Sequence, residues 1–184
     1  MIREIVIYGD PVLRKKGRQI DTITEEIRTL AQDMIETMHD AHGVGLAAQQ
    51  VGESIQLTVI DVSDVENRPS RMWIDGEEVD PKDHMPLILV NPDLELGRET
   101  EVGPEGCLSF PEITADISRA ERVKVTADDL DGNPVSFEAE GLLSRAVQHE
   151  TDHLNGILFI DRMSSAAKAT LGSKLKRLAA GEKD

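Results

Sequence analysis

Gly141-Leu142-Leu143-Ser144-Arg145-Ala146-Val147-Gln148-His149-Glu150-Thr151-Asp152-His153 is the stretch on which the reading of this chain turns. Gly141 opens a helix, Leu142, Leu143, Ala146 and Val147 give it an apolar side, and a His-Glu-x-x-His run completes it. Residues four apart on a helix lie on one face, about 6 Å apart along the axis. His149 and His153 therefore reach toward one point. Glu150 is rotated from His149 by about 100° and stands beside that point without occupying it. Two imidazole donors and a neighbouring carboxylate suit metal-assisted hydrolysis, which needs a held ion, a water and a base for that water's proton.

Two histidines do not complete such a site, because catalytic ions of this type keep three protein ligands and an open position. In thermolysin-like proteases the third ligand is a glutamate on a later helix. Beyond His153 this chain has only Asp161, on an expected short strand, and Glu182 and Asp184 at its C-terminal end. That arrangement is disfavoured. His39, His42 and His84 sit in polar surroundings without ligand spacing and read as surface residues. Cys107 is the single cysteine. By itself it reads as a small buried hydrophobe. Beside a histidine pair that lacks a third ligand it becomes the best candidate, and the glycines around it permit close approach of backbone to a ligand.

The 184 residues suffice for one domain with a core, and 39% of them are apolar. Aromatic residues are only 3%, so that core is aliphatic. A net charge of -15, from 35 acidic against 20 basic residues, argues against broad nucleic-acid binding, DNA included. No apolar run approaches the roughly 18 residues of a membrane span, so no membrane partner is expected. No signal peptide is expected after Met1-Ile2-Arg3-Glu4. A lone cysteine excludes an intrachain disulfide and fits a reducing, cytoplasmic setting.

Asp10-Pro11 reads as a cap and first position of a short helical turn. A longer helix starts near Thr22 or Thr24, with Thr22 and Glu25 in capping-box spacing, and Ile27, Leu30, Ala31, Met34, Ile35 and Met38 repeat at helical period until Gly43. That stripe is core. Strands are expected over Ile55–Ile60, over Leu87–Val90 with a stop at Asn91-Pro92, over Arg122–Thr126, over Val135–Ala139 beyond a turn at Asp131-Gly132-Asn133, and over Ile157–Ile160. The polar stretch 62–85 reads as a hairpin or a mobile loop. A last helix spans Ser164–Ala180. Its segment carries Lys168, Lys174, Lys176, Arg177 and Lys183 against Glu182 and Asp184, and reads as a solvated amphipathic helix or as a contact to ribosomal RNA. A single α+β domain is expected, with antiparallel strands around a central metal-binding helix and a C-terminal helix.

Glu105-Gly106-Cys107-Leu108-Ser109, Gln148-His149-Glu150-Thr151-Asp152-His153-Leu154 and Gly43-Val44-Gly45-Leu46-Ala47-Ala48-Gln49-Gln50 resemble the three signature blocks of the peptide deformylase family, in the family's order. The likeness extends to Tyr8-Gly9-Asp10-Pro11-Val12-Leu13-Arg14, Val90-Asn91-Pro92 and Gly156-Ile157-Leu158-Phe159, and so covers nearly the whole chain. It implies one catalytic domain over residues 1–184, removing the formyl group from the N-terminal formyl-methionine of newly made polypeptides. It implies one divalent ion held by Cys107, His149 and His153, with Fe2+ expected and Zn2+, Ni2+ or Co2+ able to substitute. Glu150 is then the general acid/base, and the Gln50 side-chain amide and the Leu108 backbone N–H meet the formyl oxygen. Gly45 brings backbone close to substrate, and Val44, Leu142 and Ala146 wall the methionine pocket. Glu105 and Gly106 join the substrate-contacting set. Arg145 either lines the rim or is a solvated charge. Ala47 and Ala48 read as small packing residues, and Gln49 points outward.

Overall fold

The computed structural model describes residues 1–181. Lys183, Glu182 and Asp184, counted above in the charge of the C-terminal segment, lie outside the described residues. The strands are β1 (Gly45–Ala47), β2 (Leu57–Ile60), β3 (Ser70–Ile74), β4 (Glu77–Val79), β5 (Leu87–Leu96), β6 (Thr100–Cys107), β7 (Phe110–Ala120), β8 (Arg122–Asp128) and β9 (Pro134–Gly141), with helices α1 (Glu25–Asp40), α2 (Leu142–Leu154) and α3 (Ser165–Ala179). Seven strands form one sheet in the order β1-β2-β5-β8-β9-β3-β4, and β6 and β7 pair as a separate hairpin. Every pairing between these strands is antiparallel.

Helix α2 is the centre of the molecule. All but one of its residues are buried, Asp152 being the exception. Leu142, Leu143, Ala146 and Val147 join Leu89, Val123, Val125, Phe137 and Ala139 of the sheet in one core. Each such side chain removed from water contributes roughly 1.5–3 kcal/mol. A second core packs α1, through Leu30, Ala31, Met34 and Met38, on Leu46, Leu57, Val59 and Val90. The stripe read from the sequence is therefore core. A third joins Leu13, Phe110, Ile117 and Phe159 to α3, whose Ala167, Leu171, Leu175 and Leu178 pack against it. The packed seam accounts for the amphipathic pattern of that helix.

The start of α2 explains the 62–85 segment. Gly141 takes φ +73°, and a Cβ there would press on the Pro69 carbonyl. That carbonyl accepts from Leu142 N at 3.1 Å, and Ser70 Oγ accepts from Leu143 N at 2.9 Å. Two open donors of the first helical turn are thus met by the loop entering β3. The segment is the hairpin alternative: β3 and β4 pair, and β3 extends the sheet on β9.

Several boundaries differ from the sequence reading. Thr24, not Thr22, caps α1, its Oγ1 accepting from Ile27 N at 3.3 Å. The helix ends at Asp40 with Ala41 as its cap, and His42, not Gly43, takes the left-handed turn, with Gly43 N bonded back to the Met38 carbonyl at 3.0 Å. Asn91-Pro92 does not stop β5. Asn91 adopts φ +50° in a register shift and the strand runs on to Leu96. Its side chain clips residue 20 from both sides, accepting from Ile20 N and donating to Ile20 O. Ile157–Ile160 is not a strand. Phe159–Arg162 is a 3-10 turn, because Asp161 caps Leu158 N at 2.9 Å. Gln49 is fully buried rather than outward, its amide donating to the Lys15 and Leu154 carbonyls. The β6–β7 hairpin had no counterpart among the expected strands.

Candidate metal centre

Three elements meet at one point. Helix α2 supplies His149 and His153, the end of β6 supplies Cys107, and the 3-10 turn Ala48–Val51 after β1 supplies Gln50. One ligand atom from each of Cys107, His149 and His153 can be chosen so that all lie within 4.8 Å of one another. Cys107 Sγ is 3.4 Å from His153 Nε2. The two imidazole rings stand 5.0 Å apart at 62°. Glu105, two residues before Cys107 on β6, places its Oε1 2.8 Å from His149 Nδ1.

The electrostatics fix how His149 is used. Burial alone would raise the Glu105 carboxyl, but hydrogen bonds from Arg119 and His149 outweigh it and hold Glu105 far below the usual carboxylate range. An ionised carboxylate only accepts, so Nδ1 of His149 carries the hydrogen and Nε2 is left for an ion. Burial opposes charge on His149, yet hydrogen bonds to Cys107 and Glu105 raise its pKa well above the ordinary histidine value. His153 is pushed well below that value, by burial first and then by the charge of His149. Two imidazoles in such contact do not both carry a charge. A divalent ion among them, with the thiol ionised and both rings neutral, satisfies all three. The residues therefore fit a metal site. His153 Nδ1 has no hydrogen-bond partner among the described residues.

Glu150 stands beside the three donors without joining them. It is 4% exposed, and its Oε1 has no hydrogen-bond partner among the described residues. Burial, the largest cause, pushes its carboxyl up to about 7. A bound cation would draw that value down again. Gly45 lies directly over it: a Cβ there would stand 2.8 Å from Glu150 Cδ and closer still to Oε2. Gln50 is held by its own oxygen, which accepts from Ala47 N at 3.0 Å, while its Nε2 donates to Ser109 Oγ at 3.1 Å and reaches Cys107 Sγ at 3.5 Å. Its amide nitrogen thus faces the donor cluster through Cys107.

A cleft of about 500 Å³ opens onto this point. Val44, Gly45, Gly106, Leu108, Leu142 and Ala146 border it, so the residues expected around a substrate are brought together. Two of the expected substrate contacts are engaged elsewhere. Glu105 borders the cleft, yet both its oxygens are taken by Arg119, Arg145 and His149. Arg145 borders the cleft but is not solvated: it is 8% exposed and bonded to Glu105 and to two backbone carbonyls. His39, His42 and His84 are exposed and outside the donor group, His42 bordering the cleft.

Sequence reasoning missed the support behind His149. Arg119 makes a two-pronged pair with Glu105 at 2.8 and 2.9 Å and a bond to Asp152 at 2.6 Å. Asp152 in turn is held by Arg162. A signal was present: Ile113, Ala115, Ile117 and Arg119 share one face of β7 by alternation. One arginine in an otherwise apolar row calls for a buried anion.

A sheet-packed helix bearing two histidines, a hairpin thiolate donor, an adjacent carboxylate and an apolar cleft define a metal-dependent amide hydrolase. The family model of polypeptide deformylase matches residues 2–169, and the chain belongs to that family. A peptide deformylase of Methylacidiphilum infernorum (isolate V4) is 48% identical over 182 residues, covering 99% of this chain and 95% of that protein. The crystal structure of peptide deformylase from Ehrlichia chaffeensis superposes with a TM-score of 0.84 at 33% identity, covering 96% of each chain. That from Thermotoga maritima gives 0.76 at 41% identity, over 89% of this chain and 99% of that one. The chain is thus a metal-dependent hydrolase that removes the formyl group from newly made polypeptides. Among the described residues, no helix is long and apolar enough to cross a membrane.

Proposed function

We propose that Cys107, His149 and His153 hold one divalent ion, and that Glu150, Gln50 and the Leu108 N–H carry out the deformylation of N-terminal formyl-methionine there. The convergence of three donors within 4.8 Å of one another, with the buried Glu150 beside them, is the observation that carries this reading. The ion, when bound, supplies Lewis acidity and brings a water's pKa toward neutral. Glu150 takes the proton of the attacking water and delivers it to the departing amine. Gln50 Nε2 and Leu108 N–H stabilise the oxyanion that develops on the formyl oxygen, each such donor being worth about 3–4 kcal/mol. Val44, Leu142 and Ala146 receive the methionine side chain, and Gly45 and Gly106 admit the peptide backbone. The whole chain, residues 1–184, acts as one catalytic domain in the cytoplasm.

The ion is Fe2+ in this reading, because a thiolate with two imidazoles suits iron(II), while Zn2+, Ni2+ or Co2+ fit the same donors. The basic residues of α3 offer a contact to the ribosome. Such a contact should weaken as salt rises and be lost from a Lys168→Glu, Lys176→Glu double variant in co-sedimentation, and unchanged co-sedimentation would remove it.

An apolar slot should select by buried surface. Each CH2 contributes about 0.8 kcal/mol, so formyl-Met and formyl-norleucine peptides should exceed formyl-Ala peptides in kcat/KM by more than about tenfold. Formyl-Asp and formyl-Lys should be poor. A flat profile across these peptides would sink the slot assignment.

Gly45 should tolerate no side chain. In Gly45→Ala the new methyl must displace the Glu150 carboxylate, which is buried and cannot swing clear. A shift of ~1 Å in a catalytic group costs about 10²-fold. The expected result is a fall of that order in kcat with metal content unchanged. A wild-type kcat would mean that Glu150 does not need its present place.

A further inference from the structure

Arg145 is a long cation set in the most buried helix of the molecule, with 9% of its side chain exposed. Its Nη1 donates to Glu105 Oε2 and to the Ile117 carbonyl, both at 2.8 Å, and its Nη2 to the Glu101 carbonyl at 2.9 Å. Two of these acceptors belong to β6 and one to β7. Gly103, between Glu101 and Glu105, leaves the room: a Cβ there would stand 3.1 Å from Arg145 Nη2. One side chain therefore ties α2, which carries His149 and His153, to both strands of the hairpin whose β6 ends in Cys107. The carboxylate it grips is the one that orients His149. That carboxylate also meets Arg119, whose second charge partner is Asp152, itself held by Arg162, so both buried arginines have carboxylate partners.

We propose that Arg145 is a positioning residue of the ion site: it holds Glu105 against His149 and fixes the spacing between Cys107 and the two histidines. The inference rests on the reading that these three residues bind the ion. Without the guanidinium, Glu105 keeps Arg119 alone on one side, and the β6–β7 hairpin loses its bonds to α2 from this side chain. His149 then faces a Glu105 held by Arg119 alone, less firmly set against Nδ1, and the thiolate can move relative to the rings. A single ammonium in place of the guanidinium reaches Glu105 but cannot also span carbonyls on two strands.

The test uses Co2+ alone as probe, on the metal-free full chain. Three quantities are measured for wild type, Arg145→Met and Arg145→Lys: the Co2+ dissociation constant by chelator competition, the thiolate-to-cobalt absorption band, and the thermal midpoint of the metal-free protein. Arg145→Met should bind Co2+ at least about tenfold more weakly and shift the band, the usual result of removing a group that orients a metal ligand. Arg145→Lys should recover part of both. Wild-type affinity and an unshifted band in the variants would overturn the proposal, whatever happens to the thermal midpoint, and would leave Arg145 a purely structural clamp. Should Arg145→Met fail to fold, Arg145→Lys decides alone by the same two readouts. A wild-type spectrum without a thiolate band, identical in Cys107→Ala, would overturn the ligand reading itself and the proposal with it.

Discussion

Glu150→Ala is expected to keep the wild-type metal content and to lose at least about 10²-fold in kcat, the usual contribution of a general acid–base group. The two effects separate because Glu150 is next to the ligand set and not in it. Cys107, His149 and His153 form the set of converging donors, and Glu150 is not among them. Its Oε1 has no partner among the described residues, so the carboxylate is free to take a proton. Burial raises its pKa to about 7 in the metal-free chain, and a bound ion lowers it from there. The lost methylene and carboxyl leave a small space beside the ion without touching the ligands. Metal per chain and formate release from a formyl-Met peptide are the two readouts. Loss of the ion together with activity would make Glu150 a ligand.

Cys107→Ala and His149→Ala should instead strip the ion and take turnover to background. Three ligands is the minimum for a catalytic site of this class, and among the described residues the converging group has only these three members. His149→Ala also leaves Glu105 without its imidazole partner among two arginines, which does not restore a donor. Both variants should still fold, because the apolar side of α2, not the histidines, holds it to the sheet. A thermal midpoint near that of the metal-free wild type would show this. A Cys107→Ala protein with a full complement of metal and activity would place the third ligand elsewhere.

Much of the site could be read from the chain because it is written in local spacing. His149 and His153 share a helix face by period, and Glu150 follows one step round the helix. What spacing does not carry is which distant residues support them. Nothing local links Arg119 or Arg162 to Asp152, and only the β6–β7 pairing, which sets Arg119 opposite Glu101, brings its guanidinium within reach of Glu105. That hairpin escaped notice because Thr100–Cys107 holds two glycines and a proline and lacks the apolar alternation that marks a strand. Arg145 read as a rim residue or a solvated charge, and its three acceptors show that it is not solvated. Ile157–Ile160 looked like a strand because four apolar residues in a row suit either state, and the Asp161 cap decided for a 3-10 turn. Asn91-Pro92 looked like a stop because Pro lacks an N–H, and the register shift absorbs it within β5.

The central claim is that one divalent ion on Cys107, His149 and His153 drives hydrolysis of formyl-methionyl peptides. It is tested most directly by titrating the metal-free chain with Fe2+ without oxygen and following formate release from a formyl-Met peptide. Turnover should rise linearly to one equivalent of Fe2+ per chain and then stay level, Ni2+ should give the same end point, and admitting air should silence the iron form while sparing the nickel form. Formate release from the metal-free chain, or none at any loading with either ion, would contradict the account.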